Sequence, residues 1–348
     1  MTASTSKSRR RVHRLTGCLA IAAALTLPIS VSAQSPKTIK VGLSLPKGVP
    51  GFDFVNGMYE LFKAEVEAGT RGALVVDLVY GGALGNPNDR LNQMRRGAIQ
   101  MTDAADGNFA AVFPDIQVLN IPYLFASEAA AWKVLDGPFG QQMAQDLRAK
   151  TGVRVLGWWE SGGFKHFSSN KPITTAADFQ GQKIRAMGPL SVRPVEALKG
   201  SASPIAFGEL YTSLKTGVVD GQENSVSVFR LVKLQEVQKY LLLSGHTYAV
   251  GVLGINDAFY NGLPADQRAV IDAAARKAIA FNRQTSRKAE GEALDAVKAA
   301  GVTVTSLDGR QRDDFRALIQ PAVLAWLKTQ VSSPAVIDAA IAAADAAR

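Results

Sequence analysis

Between Pro264 and Gly301 the chain runs through 36 residues that contain no proline and a single glycine, Gly291. Pro264 suits the first position of a helix and Gly301 suits its stop. Val270, Ile271, Ala274, Ala278, Phe281, Leu294 and Val297 recur at helical spacing. A continuous helix of this length would measure about 55 Å, whereas a small domain is only about 30 Å across. The helix must therefore lie along two packed units. The alternative is a pair of helices broken near Gly291.

The rest of the chain predicts α/β layering. Ile39–Leu45, Leu74–Tyr80 and Ala98–Thr102 read as strands, and Phe54–Ala68 and Asp89–Arg96 read as helices between them. Strands alternating with helices imply a mainly parallel sheet. An internal echo accompanies this pattern. Leu91-x-x-Met94-Arg95-x-Gly97-Ala98-Ile99 is matched by Tyr211-x-x-Leu214-Lys215-x-Gly217-Val218-Val219, each read as a short helix, a glycine stop and a buried strand. The acid-containing segments Asp103–Asn108 and Asp220–Asn224 follow. A true duplication would give two lobes of similar build, each presenting a polar loop at the carboxyl end of a strand, where open α/β sheets bind ligands. A coincidental match remains the other reading. After a strand at Val302–Ser306 the chain returns to helix, and the Ala-rich residues 331–348 read as a peripheral helix or tail.

The amino-terminal leader sets the compartment. Residues 1–14 are polar and basic, Leu15–Ser30 is apolar, and Val31-Ser32-Ala33 precedes Gln34. This is the order of a cleavable secretory signal over residues 1–33, and its apolar run is short of the roughly 20 residues that span a bilayer. Ser8-Arg9-Arg10 hints at the twin-arginine export route, although Arg11, Val12 and His13 follow in place of hydrophobic residues. Leu15-Thr16-Gly17-Cys18 spells a lipoprotein box but precedes the apolar run when it should end it. The chain is read as an exported, periplasmic protein. Its net charge of +9 is largely the leader's, because removing the five basic residues of 1–33 leaves 34 basic against 30 acidic groups. That balance gives no argument for nucleic acid. The one cysteine, Cys18, leaves with the leader, and His166 and His246 are the only histidines beyond it. A Cys-based metal site, a multi-His site and a Cys/His nucleophile pair are thereby excluded by counting, and no cofactor is expected.

Catalytic motifs are missing: no G-x-S-x-G, H-E-x-x-H, phosphate-binding loop or G-x-G-x-x-G occurs. Asp103 with Asp106, and Asp220 with Glu223, are close pairs of acids of the kind that usually stay solvated in loops. The region Trp158–Met187 is more informative, since Trp158-Trp159-Glu160-Ser161-Gly162-Gly163-Phe164-Lys165-His166-Phe167 combines aromatics, glycines and a cation. Further on, Arg185 sits in a strand-like stretch between Ile184 and Met187. From spacing alone Arg185 is either a residue on the strand's polar face or a buried anion receptor, and Trp159 and Phe207 are equally readable as core.

Three segments then settle on a family. Ser168-Ser169-Asn170-Lys171-Pro172-Ile173, Asp178-Phe179-x-Gly181-x-Lys183-Ile184-Arg185 and Ala206-Phe207-x-Glu209-Leu210-Tyr211 through Gly217-Val218-Val219-Asp220-Gly221-Gln222-Glu223-Asn224 closely resemble the DctP-type solute receptors of tripartite ATP-independent periplasmic (TRAP) transporters. Leu84-Gly85, Gly97, Ile121-Pro122-Tyr123 and Leu263-Pro264 extend the resemblance to roughly residues 38–328. It implies an α/β, two-lobed periplasmic-binding-protein-like fold whose lobes are joined by crossing strands, bridged by one long helix, and close on an organic acid. Lobe I would comprise 34–162 plus 250–290 and lobe II 163–249 plus 291–330.

The resemblance also implies roles. Arg185 would form the two-pronged salt bridge with the substrate carboxylate, for which a planar guanidinium is well shaped. Lys165 holds the second cationic position, normally an arginine, and supplies charge without the fork. Phe207 would pack on the ligand and orient the arginine, and Asn224 would hydrogen-bond the carboxylate, although Ser225 replaces the usual proline after it. Sialic-acid receptors of this family carry a glutamate where Ala105 stands and an arginine where Asn108 stands, so a smaller or more apolar carboxylate is expected, with Asn108 as a candidate contact. Trp159 and Tyr248, with Trp158 and Phe164, are candidates for an apolar part of the pocket or for core. The expected partners are a small organic acid and the small and large integral membrane subunits of a transporter, with no nucleic acid, and the protein is expected to be a monomer. A sensor-linked receptor of the same fold, or an enzyme using Asp103, Asp106 or Glu223 as a base, are the rival readings.

Overall fold

Among the described residues nine strands share one sheet, in the order β2-β1-β3-β8-β4-β7-β5-β6 with β9 pairing β8 off this path. They are β1 Lys37–Gly42, β2 Leu74–Val79, β3 Met101–Ala105, β4 Val153–Ser169, β5 Lys183–Ala186, β6 Ser201–Pro204, β7 Gly221–Asn224, β8 Tyr240–Asn256 and β9 Thr303–Ser306. The computed structural model describes residues 1–6, 35–51, 53–186 and 188–348. The apolar run and the cleavage site expected of a leader, with Cys18 and Met187, lie outside the described residues.

The sheet has a repeat in it. On one side β1 pairs in parallel with β2 and β3, and β3 runs antiparallel to β8. On the other, β5 pairs in parallel with β6 and β7, and β7 runs antiparallel to β4. Thus the echo between Leu91–Ile99 and Tyr211–Val219 corresponds to equivalent places in two halves: the helices Pro87–Arg95 and Leu210–Lys215 precede β3 and β7. The strands begin later than the apolar residues suggest. Gly97 (φ 78°) and Gly217 (φ 73°) turn the chain in the left-handed region. The amide of Ala98 returns to Gln93 and that of Val218 to Ser213, so residues 97–100 and 217–220 are turns. The acid-bearing segments read as loops therefore supply the strands.

Two 17-residue strands join the halves. β4 and β8 pair antiparallel along most of their length, with register shifts at Val155/Gly157, Glu160/Gly163 and Lys165/Phe167. β8 gives its later part to β3 (Ile255 to Gly251) and its earlier part to β9 (Tyr240 to Leu243). The hydrophobic cores divide accordingly. Ile39, Val41, Phe62, Val76 and Leu253 belong to a cluster in the first half, whereas Leu214, Val219, Phe229 and Leu241 belong to one in the second.

The long helix is continuous from Ala265 to Ala299, 35 residues or about 52 Å. It passes through Gly291, where an added Cβ would meet nothing within 4 Å, so the glycine marks an open position and no break. Gly301 (φ 86°) ends it. Ile271, Ala274, Ala275, Ala278 and Ile279 are buried in the first half's core and Ala293 and Val297 in the second's. Between these patches, buried Asn282 donates to the carbonyls of Phe54 and Glu160 and accepts from the Glu160 amide at 2.8 Å. Arg287 then pairs with Glu128 at 2.6 Å and with buried Glu160. The helix is thus tied to β4 where that strand passes between the halves. The Ala-rich end forms the helix Pro334–Asp345, whose Ile337, Ala340 and Ala344 pack into a cluster with Ile116 and Val134. Among the described residues no helix is long and apolar enough to cross a membrane.

Candidate ligand-binding site

Strand order brings the charged residues together. β4, β7 and β5 are neighbours, and the pairings His166 with Asn224, Phe167 with Glu223 and Ile184 with Gly221 place Lys165, Glu223, Asn224 and Arg185 around one corner of the sheet. Arg185 is only 1% exposed. Its Nε donates to the carbonyl of Ile205 at 2.9 Å, and its buried Nη2 has no hydrogen-bond partner. Burial lowers its pKa, opposed by the charge of Glu223. The surface-face reading of Arg185 is excluded. Two residues after Ile205 comes Phe207, 41% exposed, on the turn Phe207–Glu209. The backbone that anchors the guanidinium therefore also carries the aromatic ring.

Lys165 and Glu223 form the second element. Lys165 Nζ lies 3.5 Å from Glu223 Oε1. Glu223 Oε2 is 2.6 Å from His246 Nε2, and His246 Nδ1 is 2.8 Å from Ser244 Oγ. His246 is itself stacked on Phe167 at a centroid distance of 4.1 Å. Burial alone would raise the pKa of Glu223, yet Lys165 foremost, then the His246 hydrogen bond and charge, then Arg185, hold it down at about 2. Glu223 is therefore an anion in the folded protein. Asp106, just beyond β3, is also buried. It accepts from Asn120 Nδ2 at 2.6 Å and from the Gly107 amide at 2.7 Å. Burial raises its pKa and the nearby charge of Lys165 opposes the rise. Lys165 thus sits in the field of two carboxylates.

The remaining sequence candidates are placed as follows. Asn224 lies at the end of β7, half-buried, and its side-chain amide donates to Gln222 Oε1. Asn108 accepts from the Ala105 amide at 3.0 Å and donates to Asn88 at 3.1 Å, which occupies both ends of its amide in capping the turn after β3. Trp159 is buried in the first half's core against Gly251, where a Cβ would fall 1.9 Å from the indole, and its Nε1 has no partner. Tyr248 is buried, its hydroxyl accepts from Trp132 Nε1 at 2.8 Å and donates to Glu160 at 2.7 Å, and its ring packs edge-on to Phe125 and Phe164. Arg185, Lys165 and Asn224 are brought together, whereas Tyr248 and Asn108 are engaged within their own surroundings and Trp159 packs in the first half's core. In the sequence Glu223 and Asp106 read as acids near other acids and as bases for the rival enzyme reading, and His246 reads as a histidine with too little company for a metal site. Their roles follow from pairing across strands, for which local spacing carries no signal. Among the described residues no group of three or more His, Cys, Asp or Glu could hold a metal ion.

Residues 52–329 match DctP, the bacterial extracellular solute-binding proteins of family 7. The C4-dicarboxylate-binding periplasmic protein DctP of Rhodobacter capsulatus is 33% identical over 317 residues, covering 89% of this chain and 92% of that one. Among solved structures, a TRAP periplasmic solute-binding protein of Ochrobactrum anthropi superposes with a TM-score of 0.83 at 32% identity, covering 89% of this chain and 95% of its own. The sugar-acid-binding protein DctPAm of Advenella mimigardefordensis, in complex with galactonate, gives 0.80 at 30% identity, covering 90% and 99%. With the two-halved sheet, the bridging helix and the buried arginine on β5, these matches place the chain in the DctP family of bacterial extracellular solute-binding proteins.

Proposed function

We propose that this chain captures an organic acid between its two halves in the periplasm and hands it to the membrane subunits of a TRAP transporter. The observation that carries the reading is Arg185, a buried guanidinium whose Nη2 has no partner among the described residues. A buried donor left unpaired costs free energy comparable to the hydrogen bond it lacks, and an anionic ligand removes that cost. A carboxylate in the fork of Arg185, with Phe207 against it and Lys165 and Asn224 beyond, meets the geometry. Relatives are receptors for C4-dicarboxylates and galactonate, which supports the class of ligand.

Binding works as a hinge. Halves 34–162 plus 250–290 and 163–249 plus 291–330 act as lobes that rotate about β4 and β8, with residues 331–348 peripheral. A carboxylate touching both lobes stabilises only the closed form. Residues 1–33 act as the export signal and are removed, the mature protein is a monomer, and it releases its ligand chemically unchanged. Calorimetry of the mature protein against a panel of organic acids tests the reading. An acid that binds the parent and is lost in Arg185→Ala supports it. An acid that binds both alike overturns the anchor, and an acid recovered altered after incubation overturns the receptor role.

A further inference from the structure

The inference deepens the carboxylate-receptor reading and rests on it. The groups around Arg185 divide by what they can exchange with a ligand. Arg185 offers a buried donor with no partner, which suits one carboxylate. Past it the polar groups are mostly acceptors. Glu223 and Asp106 are both buried; the Glu223 anion only accepts, and both oxygens of Asp106 accept, from Asn120 and the Gly107 amide. Asn224 spends its amide on Gln222, so its carbonyl oxygen is the end left for a ligand. The cation there among the described residues, Lys165, stands 3.5 Å from Glu223. Its charge is shared between two carboxylates before any ligand arrives.

A second ligand carboxylate would meet this wall as one more acceptor-only anion, facing the negative charge of Glu223 and the oxygens of Asp106 that accept from Asn120 and Gly107. A hydroxyl group meets it differently, because it donates to Glu223, Asp106 or Asn224 while accepting from Lys165. An unsubstituted alkyl chain would make none of these bonds and would strip water from the charged pair of Lys165 and Glu223 without replacing it, a cost that sites built for hydroxyl groups exploit. We infer that the ligand is a hydroxylated monocarboxylate, a hydroxy acid or sugar acid, with its carboxylate on Arg185 and its hydroxyls against Lys165, Glu223 and Asp106. In this reading Asp106 is a specificity-determining residue that repels a second carboxylate.

The test is calorimetry of the full mature protein with matched sets: threonate, tartrate and butyrate at four carbons, and gluconate, glucarate and hexanoate at six. At the chain length that binds, the hydroxylated monoacid should exceed its dicarboxylate and its unsubstituted counterpart by roughly 100-fold or more. Asp106→Asn should narrow the gap to the dicarboxylate about tenfold or more, with circular dichroism reporting that the variant is folded. An unchanged ratio in that variant removes Asp106 from the specificity role. A dicarboxylate or an unsubstituted acid binding as tightly as the hydroxylated monoacid overturns the inference. If that competitor's binding is lost in Arg185→Ala, the receptor reading stands alone. Silence across both sets overturns the inference and the reading together.

Discussion

Two arginines, each 1% exposed, occupy corresponding halves of the sheet and live by opposite arrangements. Arg90, on the helix before β3, is answered entirely from within. Its Nε donates to Thr102 Oγ1 at 3.0 Å, Nη1 to the Gly85 carbonyl at 2.5 Å, and Nη2 to Ser44 Oγ at 2.5 Å and Asp103 at 2.7 Å. The Thr102 hydroxyl donates in turn to the Gly42 carbonyl, so the network closes. Arg185 has one backbone partner and an Nη2 with none. A charge whose bonds are all made inside the protein positions the chain, and one left short is poised for a molecule from outside.

That contrast can be broken at either end. Arg90→Ala leaves Asp103 buried without its counter-charge and should cost about 3–5 kcal/mol of stability, read as the midpoint of urea unfolding in the absence of ligand. A loss under about 1 kcal/mol would dissolve the distinction between the two sites. Arg185→Ala should leave that midpoint near the parent's and instead cost about 2–5 kcal/mol of binding, roughly 30- to several-thousand-fold. Calorimetry against any acid the parent binds decides it. Arg185→Lys keeps the charge without the fork and should lose about tenfold, a retained affinity showing that charge alone suffices.

Acid sharpens the comparison further, because the two carboxylates shift in opposite directions. Glu223 is held at about 2, below its ordinary 4.5. Its contribution is therefore fully present above pH 4.5 and drains away as the pH falls toward 2, by at most about 1.4 kcal/mol per pH unit. Asp103 moves upward, burial outweighing Arg90, so its protonation on acidification favours the folded state. Thermal unfolding between pH 4.5 and 3 should show a shallower acid loss in Glu223→Gln than in the parent. Equal slopes would mean that Lys165 and His246 do not stabilise the glutamate's charge.

Much of the architecture is readable from the chain because it is local. The helix Ala265–Ala299 follows from its periodicity and from the absence of proline, and even its one glycine is harmless where its Cα faces open space. The echo between Leu91 and Tyr211 is a repeat of helix, glycine and strand, and the sheet contains it twice. What slipped was register. The apolar Ile99 and Val219 are buried, but as residues of the turns that deliver the chain to β3 and β7. Burial and strand membership are separate properties, and hydrophobicity reports the first. Trp159 and Tyr248 show the same limit from the other side, since an aromatic residue reads alike whether it faces a ligand or, as Tyr248 does, Trp132 and Glu160.

Read alone, the chain carries most of the element types, offers the bridging helix and the duplicated plan each beside one alternative, and, through its resemblance around Lys183-Ile184-Arg185, points to an arginine to watch. What surrounds that arginine follows from strand pairing. Lys165 meets Glu223 across 58 positions of chain, and Glu223 meets His246, because β4 is flanked by β7 on one side and β8 on the other. Alternation along a strand says that neighbours face opposite ways, but three register shifts between β4 and β8 reset which way that is. The balance of charge at the site is set by strands remote in sequence, and such pairing leaves no periodic trace in either segment.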